Sequence, residues 1–202
     1  MDAYKLQLKI FLTPDSAQKV ALEAFIPVFH RWIKERVLPE MVIDVANYAH
    51  VPKGPGVVLI GHGSDYFLDE GEGRPGLMHN RKRAGFAPGE RLADLARRTL
   101  HAAALLEREA AFGGKVRFAT CELLFKVNDR LAAPNTPETF AACKPELEAL
   151  ATKLYGGGVT LAPAGGPKDL FGVRITSATP PSLAALLAAA GGPPAGDASL
   201  VA

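Results

Sequence analysis

Tyr4, Leu6, Leu8, Ile10 and Leu12 alternate with Lys5, Gln7 and Lys9, the period-two pattern of a strand with one buried face. Pro14-Asp15-Ser16 breaks that pattern. Leu22, Phe25, Ile26, Phe29, Ile33 and Val37 then follow helical spacing, with Pro27 in or near the first turn, where its missing N–H costs least. Met41–Tyr48 and Val57–Gly61 read as two strands joined by Val51-Pro52-Lys53-Gly54-Pro55-Gly56, a turn signal that favours a hairpin. Tyr66–Asp69 turns through Glu70-Gly71-Glu72-Gly73 into a strand over Gly76–Asn80. Glu90–Ala111 is predicted helical, with Leu92, Leu95, Ala96, Thr99, Ala103, Leu106 and Ala110 on one face and an Asp94–Arg98 pair on the other.

Lys115–Val127 reads as a long strand, and Asn128-Asp129 suits a tight turn after it. Thr136-Pro137 is a helix start, a cap residue followed by proline. Phe140, Cys143, Leu147, Leu150 and Leu154 then share one stripe, with Pro145 expected to kink the helix and Gly156-Gly157-Gly158 to end it. Phe171, Val173 and Ile175 mark a last strand. Residues 1–178 thus form one domain. Residues 179–202, rich in Ala, Pro and Gly, read as a mostly flexible tail, because two helical turns over Leu183–Ala190 are marginal alone. The block from Met41 to Asn80 lacks crossover helices, so a doubly wound parallel sheet is excluded. The expected class is α+β, an antiparallel or mixed sheet of about six to eight strands with three main helices packed mainly on one side.

Composition narrows the function classes. The 202 residues are 48% hydrophobic, enough for one sizeable core. The net charge of +2 from 23 basic and 21 acidic residues supplies no global field for nucleic acid or anionic membrane. No RNP-like aromatic pattern or helix-turn-helix signature is present, so nucleic acid is disfavoured. No apolar run approaches the roughly 20 residues that span a bilayer, so no membrane insertion is expected. Cys121 and Cys143 are too few for a disulfide framework and lack metal-ligand spacing. A cytoplasmic location is the expectation.

Chemistry concentrates in Val57–Arg83. A hairpin centred near Lys53-Gly54 would set Asp44 and Ala46 opposite Ser64 and His62, so that Asp44, His62 and Asp65 surround one point. A carboxylate beside imidazole can orient a general base or complete a metal site. Catalytic candidates are therefore Asp44, His62, Ser64 and Asp65, with His62 the metal candidate. The alternative is a histidine bonded at a strand end without catalytic use. Arg74, His79, Arg81 and Arg83 form a second candidate, since clustered guanidinium groups bind phosphate or carboxylate. Its alternative is a solvated strand end beside Asp69, Glu70 and Glu72. Gly61-His62-Gly63-Ser64-Asp65 is no nucleophile elbow, because glycine holds the nucleophile position and a strand follows.

Val58–Ser64 resembles the VLLVGHGS-type opening of small cobalt and iron chelatases of tetrapyrrole synthesis. That resemblance implies that His62 binds an incoming metal in a parallel α/β fold, whereas this motif lies in the third strand and precedes another strand. FIPVFHRWIKE, VIDVANYAHVPKGPGVVLIGH and RPGLMHNRKR resemble a group of bacterial proteins of no assigned activity, over most of residues 4–178. This implies a bacterial cytosolic protein and carries no cofactor or site. Two functions stand side by side. One is a non-enzymatic module binding a small anionic ligand or a protein partner, as a homo-oligomer through its sheet edge or exposed face. The other is a metal-dependent enzyme acting on a small anionic substrate, with its site around Asp44, His62 and Asp65. The cofactor is left unknown.

Overall fold

A computed structural model describes residues 3–52, 54–83 and 87–195. Its strands are β1 (Leu6–Leu12), β2 (Val42–Tyr48), β3 (Gly56–Gly61), β4 (Ser64–Asp69), β5 (Gly76–Arg81), β6 (Phe118–Val127), β7 (Val159–Ala164) and β8 (Gly172–Ser177). They form one sheet in the order β2-β3-β4-β5-β1-β6-β8-β7, and every neighbouring pair is antiparallel. The helices are α1 (Pro14–Lys19), α2 (Phe25–Glu35), α3 (Arg91–Arg108), α4 (Pro137–Tyr155) and α5 (Leu183–Ala189). The class is α+β. Five helices among the described residues replace the three expected.

Local chemistry accounts for the helix boundaries. The Thr136 hydroxyl accepts the Thr139 N–H, Pro137 opens α4, and Gly156 closes it at φ 77°. The helix continues through Pro145. α2 ends on Arg36 at φ 52°, a left-handed conformation that costs a non-glycine residue energy.

The core lies between one sheet face and the helices. Leu6, Leu8, Ile10 and Leu12 of β1 join Phe25, Phe29 and Trp32 of α2, Leu95 and Leu100 of α3, and Leu147 and Leu154 of α4. α5 belongs to this core too, with Leu183, Leu186 and Leu187 buried against it. A seven-residue helix is marginal alone, but docking on α3, α4 and β6 supplies what its length does not. Residues 196–202 of the expected tail lie outside the described residues.

Two further differences concern strands. β7 was not expected, because Pro163 interrupts its pattern, and an edge strand is where proline is tolerated. No strand follows Asn128-Asp129 directly. The Asp129 carboxylate instead accepts the N–H groups of Leu131 and Ala132 and closes a local turn.

The strand–helix–hairpin–helix order occurs twice. β1, α2, β4-β5 and α3 form one unit, with the β2–β3 hairpin inserted, and β6, α4, β7-β8 and α5 form the other. The units meet at β1 and β6, the central antiparallel pair.

Candidate functional site

β3 ends at Gly61 and β4 begins at Ser64, so His62-Gly63 is the tip of a tight hairpin. His62 is exposed there. Asp44 does not meet it. The ladder sets Asp44 opposite Ile60 and Ala46 opposite Val58, and a bulge between Val42 and Asp44 shifts the register. The expected hairpin centre placed these pairs several residues too far along. Asp65 is buried, accepts the Gly61 N–H at 3.2 Å, and pairs with Lys82 Nζ at 2.7 Å. Ser64, its neighbour, points to the opposite sheet face, where its hydroxyl donates to Glu40. The expected Asp44, His62 and Asp65 constellation is therefore dispersed. Among the described residues no three His, Cys, Asp or Glu side chains stand together as a metal site. The antiparallel sheet also differs from the parallel fold that the chelatase resemblance implies.

The basic candidates separate in the same way. The Arg74 guanidinium lies 4.0 Å from the Phe11 ring on the sheet face away from the helices, and donates to Glu122 at 2.9 and 3.0 Å. His79 and Arg81 are buried on the helix side. Arg83 is exposed, and its carbonyl accepts the Arg81 Nε–H at 3.2 Å. Four groups on three surfaces do not share one anion.

What the helix side does assemble is a buried polar layer. β4 contributes Ser64 and Tyr66, β5 contributes His79 and Arg81, α3 contributes Asp94 and Arg98, and Glu40 enters from the segment before β2. Asp94 Oδ2 accepts Arg81 Nη1–H at 2.6 Å and Arg98 Nε–H at 3.0 Å. Arg98 Nη1 lies 3.4 Å from Glu40 Oε1, and the Ser64 and Tyr66 hydroxyls both donate to the Glu40 carboxylate. The Asp94–Arg98 pair is thus present as expected, but turned inward. Trp32, on α2, places its Nε1–H 2.5 Å from Glu109.

His79 is the outlier of the layer. It is wholly buried and stacks on Tyr66 with ring centroids 4.7 Å apart, and neither ring nitrogen has a protein partner. Burial lowers its pKa to about 4, so it is neutral at pH 7. Burial alone would raise the Glu40 carboxyl. The His79 ring, the two hydroxyls and Arg98 outweigh that and hold it below its ordinary value. Burial, then Glu40, raises the Tyr66 phenol. Apart from His79, the layer is a set of mutually paired groups, and none of its acids or bases stands free toward solvent.

The opposite kind of surface occurs at β2, one end of the sheet. Met41, Ile43, Tyr48 and Val51 are 45%, 57%, 44% and 40% exposed, four of the six large hydrophobic residues exposed among those described. β7, the other end, carries Pro163, which offers no N–H to a further strand. Beside β2, a cleft of about 590 Å³ is lined by Tyr48, Val51, Gly54, Gly56 and the acidic Glu70–Gly73 turn.

The fold and these surfaces define the class, an α+β protein built on one open antiparallel sheet. No protein-family model matches the chain, and no curated protein matches it either.

Proposed function

We propose that this chain is a non-enzymatic binding module that takes a strand of a protein partner onto β2. The observation that carries this reading is the difference between the two sheet ends. β7 is blunted by Pro163, whereas β2 has a free backbone edge with Ile43 and Tyr48 exposed on the strand and Met41 and Val51 exposed beyond its two ends. An added strand supplies main-chain hydrogen bonds, and its alternate side chains meet the apolar flank.

An anionic small molecule is the weaker half of the expectation, since Arg74, Arg81 and Arg83 point to different surfaces. The metal-dependent enzyme reading loses its geometric ground with the separation of Asp44 and His62. The sequence resemblance supports a bacterial cytosolic setting, and no described helix is long and apolar enough to cross a membrane.

The test is a selection of displayed extended peptides on the immobilised protein, counter-screened against Val45→Pro. Peptides that bind the native chain and lose affinity for the variant support the reading. Binders indifferent to the variant, or none at all, overturn it.

A further inference from the structure

The backbone of β2 shows what could pair with it. The His62 N–H donates to the Met41 carbonyl at 2.9 Å, toward β2, while the Gly61 N–H reaches Asp65 on β4. Even-numbered β3 residues thus face β2, and their partners are Asp44, Ala46 and Tyr48. In an antiparallel ladder the intervening residues turn their N–H and C=O groups outward. Val45 and Asn47 therefore form the free edge. The Val45 N–H is held by the Asp44 carboxylate at 2.8 Å, a local bond that protects the edge in the single chain.

Resting on the reading of β2 as a protein-binding edge, we propose that its occupant is β2 of a second copy, paired antiparallel about a two-fold axis through Ala46. In that register Val45 lies opposite Asn47 of the second copy, so two outward residues exchange both main-chain bonds. Asp44 lies opposite Tyr48 of the second copy, and the exposed phenol of one chain donates to the exposed carboxylate of the other, twice by symmetry. Asp44 thus releases Val45 and takes a new donor. Ala46 meets Ala46, the smallest side chain on the strand at the point of closest approach. The register centred on Asp44 would set two carboxylates face to face, which costs energy. β2 is self-complementary in one register and self-repelling in that other one.

The experiment combines mass and cross-linking. Light scattering on the full chain at about 100 µM is expected to give twice the chain mass. Val45→Pro removes an outward N–H and Ala46→Asp sets two carboxylates face to face across the two-fold axis, so both are expected to give the single-chain mass with the thermal transition retained. Ala46→Cys is expected to form a disulfide dimer on mild oxidation, since opposed Cα atoms in a non-hydrogen-bonded antiparallel pair lie about 4.5 Å apart. Asp44→Cys, placed opposite Tyr48, is expected not to cross-link, with wild type reporting the background from Cys121 and Cys143. A dimer that survives both edge variants, or cross-linking at 44 and not 46, overturns the proposed pairing. A single-chain mass for wild type also overturns it. If displayed peptides still bind in a manner sensitive to Val45→Pro, only self-pairing falls, and if they do not, the binding reading falls with it.

Discussion

The two strand–helix–hairpin–helix units solve the same packing problem with different materials. Across the helix-facing side of the sheet, one row runs Tyr66, His79, Leu8, Phe125, Val173 and Pro163. On the β5 side of the central pair the layer beneath α3 is ionic. On the β8 side, where α4 and α5 pack, Val173 and Ile175 take the flanking positions and the layer is apolar. An apolar layer tolerates local rearrangement, because its interactions have no direction. A buried ionic layer holds only if each charge keeps its partner, since removing one leaves the other desolvated. The first unit is therefore the more specific and the more brittle.

Asp94→Ala strikes this contrast hardest. It removes the shared partner of Arg81 and Arg98, and a loss of about 3–5 kcal/mol is expected in denaturant titration. Ile175→Val in the apolar unit is expected to cost about 1 kcal/mol. Equal losses would erase the distinction between the units.

Acid gives the next largest effect. His79 titrates near 6.5 when unfolded and at about 4 when folded. At pH 7 both states are neutral and nothing is lost. Between those values the unfolded chain takes up the proton first, so stability falls as pH falls, by on the order of 2–3 kcal/mol. Half-buried His101, lowered by burial and then Arg108, adds to the fall, and Glu40, held low, adds a further loss below its ordinary range. His79→Phe keeps a ring against Tyr66 and removes the two unpaired nitrogens. Its denaturant midpoint is expected to drop less than that of wild type between pH 7.5 and pH 5, and an unchanged drop would acquit His79.

Smaller changes sharpen the picture. Tyr66→Phe deletes one donor to Glu40 and is expected to cost about 1–2 kcal/mol by thermal unfolding. Arg74→Ala, on a half-exposed pair with Glu122, is expected to shift stability by less than about 1 kcal/mol and by less still in high salt.

The strands of this sheet were largely legible from alternation, yet what their polar faces do was not. Lys9 looked solvent-facing. The turn after β4 folds over it instead, and its ammonium, whose pKa burial lowers, bonds to Asp69 Oδ1 at 2.5 Å and to the Gly71 and Arg74 carbonyls at 2.9 Å. Asp94 and Arg98 likewise read as a polar helix face. Periodicity reports that a stripe is polar, not whether a buried counter-charge waits on a strand, and Arg81 lies on β5. Glu40 carries no signal at all, a single acid before a strand. The GHGSD segment carries reactive residue types, but chemistry needs convergence, and the hairpin register, which sets Asp44 opposite Ile60 and not Ser64, keeps Asp44 from His62. Pro163 hid β7, because proline lowers strand propensity while leaving an edge strand intact.

That same proline bears on the limits of assembly. A sheet open at both ends can add copies indefinitely and grow into a filament, each new chain offering a fresh end. Here the far end of the sheet lacks the donor at Pro163 that the next chain would need. In the proposed pairing, like ends meet, the β2 edge of each chain is consumed, and only the ends blunted by Pro163 stay outside. An assembly built that way stops at two.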